Sequence, residues 1–188
     1  MNAETLIHVT EDAARVREYC ELRQRVYHHH YPFLPAHFGD WEPIDDLSHI
    51  VVVNRGGRVI AGARLTISTP DSPLRLPMEE GGFRLSRELP EYRLHSRSYA
   101  EISRVAVDPG TADGGAVNLE LARMLCRTAA GQGVDLLFAI CPRGQLRINR
   151  RNAAALGVAF RFFPAVKAPG DYGVAKTLCV YTGAMGVR

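Results

Sequence analysis

Charged side chains interrupt a stretch that otherwise has the pattern of a buried strand. The stretch is Tyr99–Val107, and Glu101 and Arg104 lie inside it. Side chains alternate along a strand, so Glu101 and Ser103 should share one face and Ile102 and Arg104 the other. Charges on an apolar strand are costly unless they are paired or line a cleft. The pattern therefore predicts either structural ion pairs or a cleft in which Glu101 is the first candidate for a catalytic carboxylate.

Two other arginines raise the same question. Arg23 lies on the apolar stripe of a predicted helix, and Arg64 lies in a predicted strand. We expect one buried or cleft-lining charge network, with Asp45 as the second candidate for a catalytic carboxylate. Its expected members are Arg23, Asp45, Asp46, Arg64, Glu101 and Arg104. Ordinary ion pairs that fix a helix to a sheet are the alternative.

A glycine-containing loop follows the charged strand. It runs from Val107 through Asp108 and Gly110 to Gly114 and Gly115, directly before a predicted helix. Unpaired backbone N–H groups and the positive end of the helix dipole make such a junction a site for anions, phosphate above all. A plain strand-to-helix turn is an equal alternative, and the acidic Asp113 counts against an anion.

The second half of the chain contains a long segment without acidic residues. No Asp or Glu occurs between Leu136 and Gly170, where a predicted helix carries Arg143, Arg147, Arg150 and Arg151. A cationic surface of this kind attracts phosphates, nucleic acid or an acidic protein. A generally high arginine content is the alternative, because 21 of the 23 basic residues are Arg.

Composition limits the class of protein. The chain has 188 residues, 46% of them hydrophobic and 23% charged, with a net charge of +3. These values exclude a disordered chain or a disulfide miniprotein, and the four separated cysteines indicate reduced thiols. No apolar run is long enough to span a bilayer and no secretory signal is visible, so we expect a cytoplasmic protein. We also expect one domain over residues 1–188 and no metal site.

Hydrophobic periodicity predicts one mixed sheet with helices on both faces. A helix over Glu11–His29 has Thr10 as its expected N-cap, and Gly110 ends the charged strand. Predicted strands cover 6–9, 49–53, 58–67, 99–107, 134–140, 158–163 and 175–182, with further helices near 82–89, over 116–130 and up to 156.

The element order resembles the GNAT superfamily of N-acyltransferases, and residues 107–115 resemble its pyrophosphate-binding loop. A narrower resemblance covers roughly residues 20–107. Its motifs are Arg23 with Tyr27, Trp41 followed by Asp45 and Asp46, Arg64 between Gly62 and Leu65, and Glu101-Ile102-Ser103-Arg104. They resemble the acyl-homoserine-lactone synthases and the related N-acyl amino acid synthases.

The resemblance implies an α/β (α+β) fold with a mixed sheet of about seven strands and a splayed central strand pair. It implies transfer of an acyl group, long-chain and delivered by acyl carrier protein, to the amino group of a small acceptor. Donors are then acyl-ACP or acyl-CoA, with no permanently bound cofactor. The implied acceptor-binding residues are Arg23, Tyr27, Trp41, Asp46, Arg64, Ser103 and Arg104.

The donor side is implied in the same way. Residues implied to bind the acyl and phosphopantetheine groups are Val105, Ala106, Val107, Gly114, Gly115 and Phe138. The apolar residues Leu136, Leu137, Phe138, Ile140, Phe160, Phe162 and Phe163 could line an acyl tunnel, although such residues are more often simply core. Arg143, Arg147, Arg150 and Arg151 are expected to dock the acidic carrier protein.

Three other functions stay open. The spacing of Glu42, Asp45 and Asp46 differs from that of synthases that use S-adenosylmethionine, which favours an amino acid as acceptor, but a homoserine-lactone synthase is an alternative. A second is an acetyltransferase that uses acetyl-CoA. A non-enzymatic module that binds nucleic acid through its arginines is the third, although lysine is scarce and we expect no nucleic-acid partner. The sequence leaves the oligomeric state open.

Overall fold

A computed structural model describes residues 4–79, 81–167 and 176–187. Seven strands form one mixed sheet in the order β1-β2-β3-β4-β5-β7-β6. The strands are β1 Thr5–Thr10, β2 His49–Arg55, β3 Arg58–Ser68, β4 Tyr99–Val107, β5 Leu136–Pro142, β6 Ala159–Phe163 and β7 Lys176–Thr182. The helices are α1 Ala13–His30, α2 Leu85–Glu88, α3 Gly114–Gly131 and α4 Arg143–Leu156. This is the predicted fold class, and β4 has the predicted bounds.

The described residues form two compact units. The first comprises residues 1–65 and 103–125, and the second comprises 66–102 and 126–188. In the first unit, α1 packs its apolar stripe on β2 and β3, with Tyr19, Leu22 and Val26 against Ile50 and Val52. Burial of this stripe removes apolar surface from water and holds α1 on the sheet.

In the second unit, β5 is buried on both faces. Leu136 and Phe138 pack against the segment that precedes β4, and Ala139 and Cys141 face Leu146 of α4. All four cysteines are free and buried, as the sequence predicts. Within the described residues, no helix is long and apolar enough to cross a bilayer.

The pairing of β4 with β5 is short. The two strands are parallel and pair at three positions, from Tyr99 with Leu136 to Glu101 with Phe138. β4 then continues to Val107, while β5 pairs with β7 along its whole length. The predicted splay of this strand pair stays a prediction.

Two local predictions are wrong. The N-cap of α1 is Asp12 and not Thr10, because the Asp12 carboxylate accepts a hydrogen bond from the Ala14 N–H at 2.8 Å. The third helix begins at Gly114, two residues before the predicted start, because the carbonyl of Asp113 already accepts bonds from the N–H groups of Ala116 and Val117.

Candidate active site

A closed pair of Arg23 and Asp45 forms the base of a buried ionic cluster in the first unit. Asp45 accepts from Arg23 Nη1 at 3.1 Å and from Nη2 at 2.7 Å, and both side chains are fully buried. Asp45 lies in the 3-10 turn Pro43–Leu47 and also caps it, accepting from the Glu42 N–H at 2.9 Å. The pair therefore fixes this turn to α1.

Glycine at position 39 allows the chain to approach α1 closely enough for this contact. Gly39 has φ +102°, and a Cβ there would lie 2.8 Å from the Cα of Gln24. Its carbonyl accepts from Arg23 Nε at 2.5 Å, and the carbonyl of Asp40 accepts from Arg23 Nη2. All three guanidinium nitrogens of Arg23 are therefore hydrogen-bonded, which compensates for its burial.

Arg64 extends the cluster from β3. Its Nη1 donates to Asp45 Oδ1 at 2.9 Å and to Glu42 Oε2 at 2.6 Å, and its Nε donates to Ser103 Oγ at 3.1 Å. The two carboxylates thus share one guanidinium, which joins the turn at residues 43–47 to the sheet.

Arg104 completes the cluster through a kink in β4. Its φ is +54°, in the left-handed region that non-glycine residues rarely adopt. Its Nε and Nη2 both donate to the carboxylate of Glu42, and its guanidinium lies 4.5 Å from the ring centroid of Phe38. Several contacts thus hold this strained residue, a situation common at functional sites.

The kink overturns the predicted alternation of β4. Ser103 binds Arg64, and Arg104 binds the carboxylate that Arg64 also binds, so two consecutive residues reach the same cluster. Strict alternation requires extended backbone at every position, and a positive φ at Arg104 breaks it. Hereafter, the ionic cluster means Arg23, Glu42, Asp45, Arg64 and Arg104.

Opposite charges keep Asp45, Glu42 and Arg23 ionised. Burial acts to raise the pKa of Asp45, but hydrogen bonds from Arg23 and the Glu42 N–H and the charges of both arginines lower it overall. Burial also acts to raise the pKa of Glu42, but hydrogen bonds and charges of Arg104 and Arg64 lower it overall. The pKa of Arg23 is raised because its bonds to Asp45 outweigh burial. Both carboxylates are therefore weak bases in this setting.

Tyrosines of α1 line the ionic cluster. The buried Tyr19 donates its hydroxyl to the carbonyl of Arg104 at 2.6 Å. Tyr27 meets Phe38 edge to face, with centroids 5.3 Å apart, and lies 6.0 Å from the guanidinium of Arg104. Burial raises the pKa of both phenols, so they remain neutral.

Trp41 and Asp46 lie outside the ionic cluster, which corrects the predicted membership of Asp46. Asp46 is exposed and accepts from the Trp41 indole N–H at 3.2 Å. Successive residues of the turn point in different directions, so Asp45 faces inward and Asp46 outward. Trp41 and Asp46 instead line an open cleft of about 480 Å³ beside α1, with Glu11, Ala13, Val16, Arg17, Cys20, Glu21, Gln24 and Asp40.

Glu101 lies in the second unit and is buried. Its Oε2 accepts from the Met78 N–H at 2.7 Å. The neighbouring carboxylate of Glu79 is also buried and accepts from the N–H groups of Leu76 and Leu85, which organises the segment before α2. Phe138 lies in the same unit, opposite Glu101 in the ladder of β4 and β5.

The glycine loop after β4 belongs to the first unit. Asp108 accepts from the Gly110 N–H at 2.9 Å, and Asp113 forms an exposed ion pair with Arg55. A Cβ at Gly114 would meet only Val107, at an ordinary 3.7 Å, so packing does not require glycine there. Gly115 follows in the first turn of α3, and Val105, Ala106 and Val107 form the end of β4.

The apolar residues predicted to line an acyl tunnel do not share one face of the sheet. Leu136, Phe138 and Phe163 belong to one core cluster, with Ile140 packed against it, whereas Phe160 packs beside α4 on another. Leu137 is fully buried. Phe162 is 48% exposed, because β6 is the edge strand. These seven residues therefore do not form one common surface, and contact of any one of them with an acyl chain stays a prediction.

The arginines of α4 form an exposed cationic face. Residues 143, 147, 150 and 151 fall within an arc of roughly 100° at helical spacing, and all four side chains are exposed. Asn149, Asn152 and Ala153 on the other side are buried. In the described part of the chain, none of these arginines is paired with a carboxylate.

Sequence reasoning missed two members of this site. Glu42 bridges two arginines, and Phe38 supports Arg104. Their positions near Trp41 were visible, but the kink at Arg104 that brings them together has no sequence signal. No group of three or more potential metal ligands occurs among the residues described.

Comparison with known proteins identifies a family. The sequence profile of the family "N-acyl amino acid synthase FeeM" matches residues 18–155. No curated protein matches the sequence.

Solved structures share the fold at low sequence identity. The structure of the AHL synthase LasI has a TM-score of 0.68 and 17% identity, over 96% of this chain and 90% of that one. FeeM, an N-acyl amino acid synthase from uncultured soil microbes, has a TM-score of 0.67 and 14% identity, over 96% and 91%. BjaI, a CoA-dependent acyl-homoserine lactone synthase solved with SAM and isopentyl-CoA, has a TM-score of 0.67 and 18% identity. The match covers 97% of this chain and 87% of that one.

Proposed function

This chain belongs to the family of N-acyl amino acid synthase FeeM, and from that premise we propose that it transfers a long acyl chain from acyl carrier protein to the amino group of an amino acid. Family membership makes it an acyltransferase with a GNAT-like fold. The observation that supports this proposed reaction is the ionic cluster. Three arginines and two carboxylates are brought together there at considerable desolvation cost, inside the matched residues.

The chemistry requires no covalent intermediate on the protein. The neutral amine attacks the thioester carbonyl, a C–N bond forms and the C–S bond breaks. One proton must leave the ammonium form before attack, and the thiolate leaving group takes up a proton afterwards. Free α-amines have a pKa near about 8, so a carboxylate acting directly or through one water suffices.

Glu101 is the proposed acceptor-side carboxylate. It is buried and held by the Met78 N–H, so its position is fixed. The alternative, Asp45, is sealed by Arg23 and Arg64, and we assign it to positioning. Glu101→Gln retains an acceptor for the Met78 N–H, so the variant should fold while its kcat falls. A folded Glu101→Gln protein with normal kcat removes Glu101 from the mechanism.

The end of β4 and the glycine loop are the proposed donor side. Backbone N–H groups near Val105 to Val107 would polarise the thioester carbonyl, as donors aimed at a developing oxyanion do. The strand-to-helix junction at Gly114 and Gly115, at the start of α3, suits a phosphate-bearing phosphopantetheine arm. Phe138 is proposed to contact the acyl chain.

The cationic face of α4 is the proposed docking surface for the carrier protein. Carrier proteins are strongly acidic, and exposed arginines steer and hold such partners. Arg147→Glu with Arg150→Glu should raise the KM for acyl carrier protein roughly tenfold or more, while a small acyl thioester is used as before. The measurement is a steady-state comparison of the two donors.

A matched double reversal controls for net charge. Arg58→Glu with Arg127→Glu changes two exposed arginines on other elements and should alter neither KM. Equal loss with both donors in the α4 variant would contradict docking at this face.

Two further proposals concern the extent of the domain and where the protein acts. We propose that residues 1–188 act as one acyltransferase domain, because β3 and β4 contribute residues to both units. We also propose that it acts in the cytoplasm, where acyl carrier protein and acyl-CoA are available. A parallel assay with S-adenosylmethionine tests the homoserine-lactone alternative, which lactone release would reveal.

A further inference from the structure

The solvent-facing end of the ionic cluster differs from its base. The side chains of Arg23 and Asp45 have no exposed surface, and that of Arg64 has 2%. Glu42 is 33% exposed and Arg104 15%. A small molecule can therefore reach the pair of Glu42 and Arg104 while the base of the cluster stays closed.

Arg104 is preorganised to bind a carboxylate. One side chain edge, Nε and Nη2, donates to both oxygens of Glu42, and the guanidinium lies against Phe38. A planar guanidinium that presents two parallel N–H groups matches any carboxylate in the same way. The kink at Arg104 and the hydrogen bond from Tyr19 to its carbonyl hold this edge in place.

The base of the cluster does not depend on the contact between Glu42 and Arg104. Arg64 keeps its bond to Asp45 and its bond to Ser103 if the Glu42 carboxylate moves. The backbone of Glu42 stays fixed, because its N–H donates to Asp45. The Glu42 side chain can thus exchange with another carboxylate without opening the buried pair.

We propose that Glu42 occupies the binding site of the acceptor's carboxylate and that a free amino acid displaces it from Arg104. The inference rests on the proposed function and names the group by which the acceptor is recognised. The α-carboxylate of an amino acid has the same geometry as the Glu42 side chain, and it lies one carbon from the amine that is acylated. Acceptors that lack a carboxylate cannot compete with Glu42 and should be poor substrates.

The wild-type protein provides the first test. With one acyl thioester as donor, KM is measured for an amino acid and for its amide and methyl ester. We expect the free acid to have a KM at least roughly tenfold lower than the neutral analogues. Equal KM values for acid and amide overturn the inference. Absence of acylation with every acceptor overturns the proposed function as well, so the two failures are distinguishable.

Variants distinguish displacement of the Glu42 carboxylate by the acceptor from a purely structural role of Glu42. Glu42→Gln removes the charge of the competitor at nearly constant shape, so the KM for the free acid should fall roughly tenfold while that for the amide stays constant. Arg104→Lys removes the bidentate edge and should abolish the preference for the acid. Glu120→Gln, at a half-exposed ion pair with Arg123 on α3, is the matched control and should change neither KM.

The contrary results are equally specific. A Glu42→Gln protein whose KM rises equally for acid and amide would show that Glu42 only supports the site. Thermal melting of each variant identifies unfolding, and calorimetric binding of the amino acid to wild-type protein gives a readout independent of turnover. If Glu42→Gln does not fold, an Arg104→Lys protein that still prefers the acid overturns the inference.

Discussion

Among single-residue substitutions that neutralise a carboxylate of the ionic cluster, Asp45→Asn should lower the free energy of unfolding most. Asp45→Asn keeps the shape of the side chain but leaves one hydrogen-bond acceptor and two donors where two carboxylate oxygens accept four bonds. The charge of Arg23, which has no exposed surface, is then uncompensated. Removal of one partner of a buried ion pair costs about 3–5 kcal/mol.

This cost is large compared with the stability of a domain. Native domains are stable by about 5–15 kcal/mol. For a chain of this size, each kcal/mol lowers the Tm by about 2–4 °C, so Asp45→Asn should lower it by about 6–20 °C. Thermal melting and urea unfolding followed by circular dichroism measure both quantities.

The neighbouring residue supplies a matched control. Asp46→Asn makes the same chemical change at an exposed carboxylate, and surface substitutions stay within about 0.5 kcal/mol. Equal losses of stability in the two variants, or a loss below about 1 kcal/mol for Asp45→Asn, would refute the conclusion that the pair of Arg23 and Asp45 holds the turn to α1.

The same pair predicts a pH dependence. The folded state lowers the pKa of Asp45, so its carboxylate contributes its full stabilisation above the ordinary aspartate pKa of about 4. That contribution is lost as the pH falls through the lowered pKa of the folded state. The difference in stability between wild type and Asp45→Asn should therefore be constant near neutral pH and shrink below about pH 4. A difference that grows on acidification would contradict this sign.

Two other predictions concern packing around the ionic cluster. Gly62→Ala should cost about 1–3 kcal/mol in urea unfolding, since its Cβ would lie 2.5 Å from the Tyr19 ring and 3.0 Å from the Val51 carbonyl. Gly144→Ala, in open space on α4, should not destabilise, and equal losses would refute the steric reason. Tyr19→Phe leaves the carbonyl of Arg104 without its 2.6 Å hydrogen bond and should cost about 1–3 kcal/mol; an unchanged urea midpoint would contradict this.

The sequence predicts the fold correctly where the hydrophobic periodicity of a segment matches the residues that are buried in the structure. The charged strand at Tyr99–Val107 and the helix that ends at Leu156 before Gly157 have their predicted bounds. Gly157 adopts the left-handed conformation typical of a helix end, which its residue type makes visible in advance.

Only part of the ionic cluster can be predicted from the sequence. Arg23, Arg64, Arg104 and Asp45 could be selected because charge on an apolar element requires a partner. Which carboxylates supply that partner depends on the direction of each side chain in a tight turn. Alternation along β4 failed at Arg104 because nothing in an arginine indicates a positive φ. The sequence therefore predicts Asp46 and Glu101 as members, which the ionic cluster does not contain, and it does not indicate that Glu42 bridges two arginines.

Mass spectrometry of the reaction product tests the central claim most directly. Purified protein is incubated with long-chain acyl carrier protein and a mixture of amino acids, beside the Glu101→Gln variant as control. We expect new products whose masses equal an amino acid plus the fatty acid minus water, in strongly reduced amounts with Glu101→Gln. No N-acyl product from any amino acid, or release of an acyl-homoserine lactone when S-adenosylmethionine is supplied with the same acyl donor, would contradict this function.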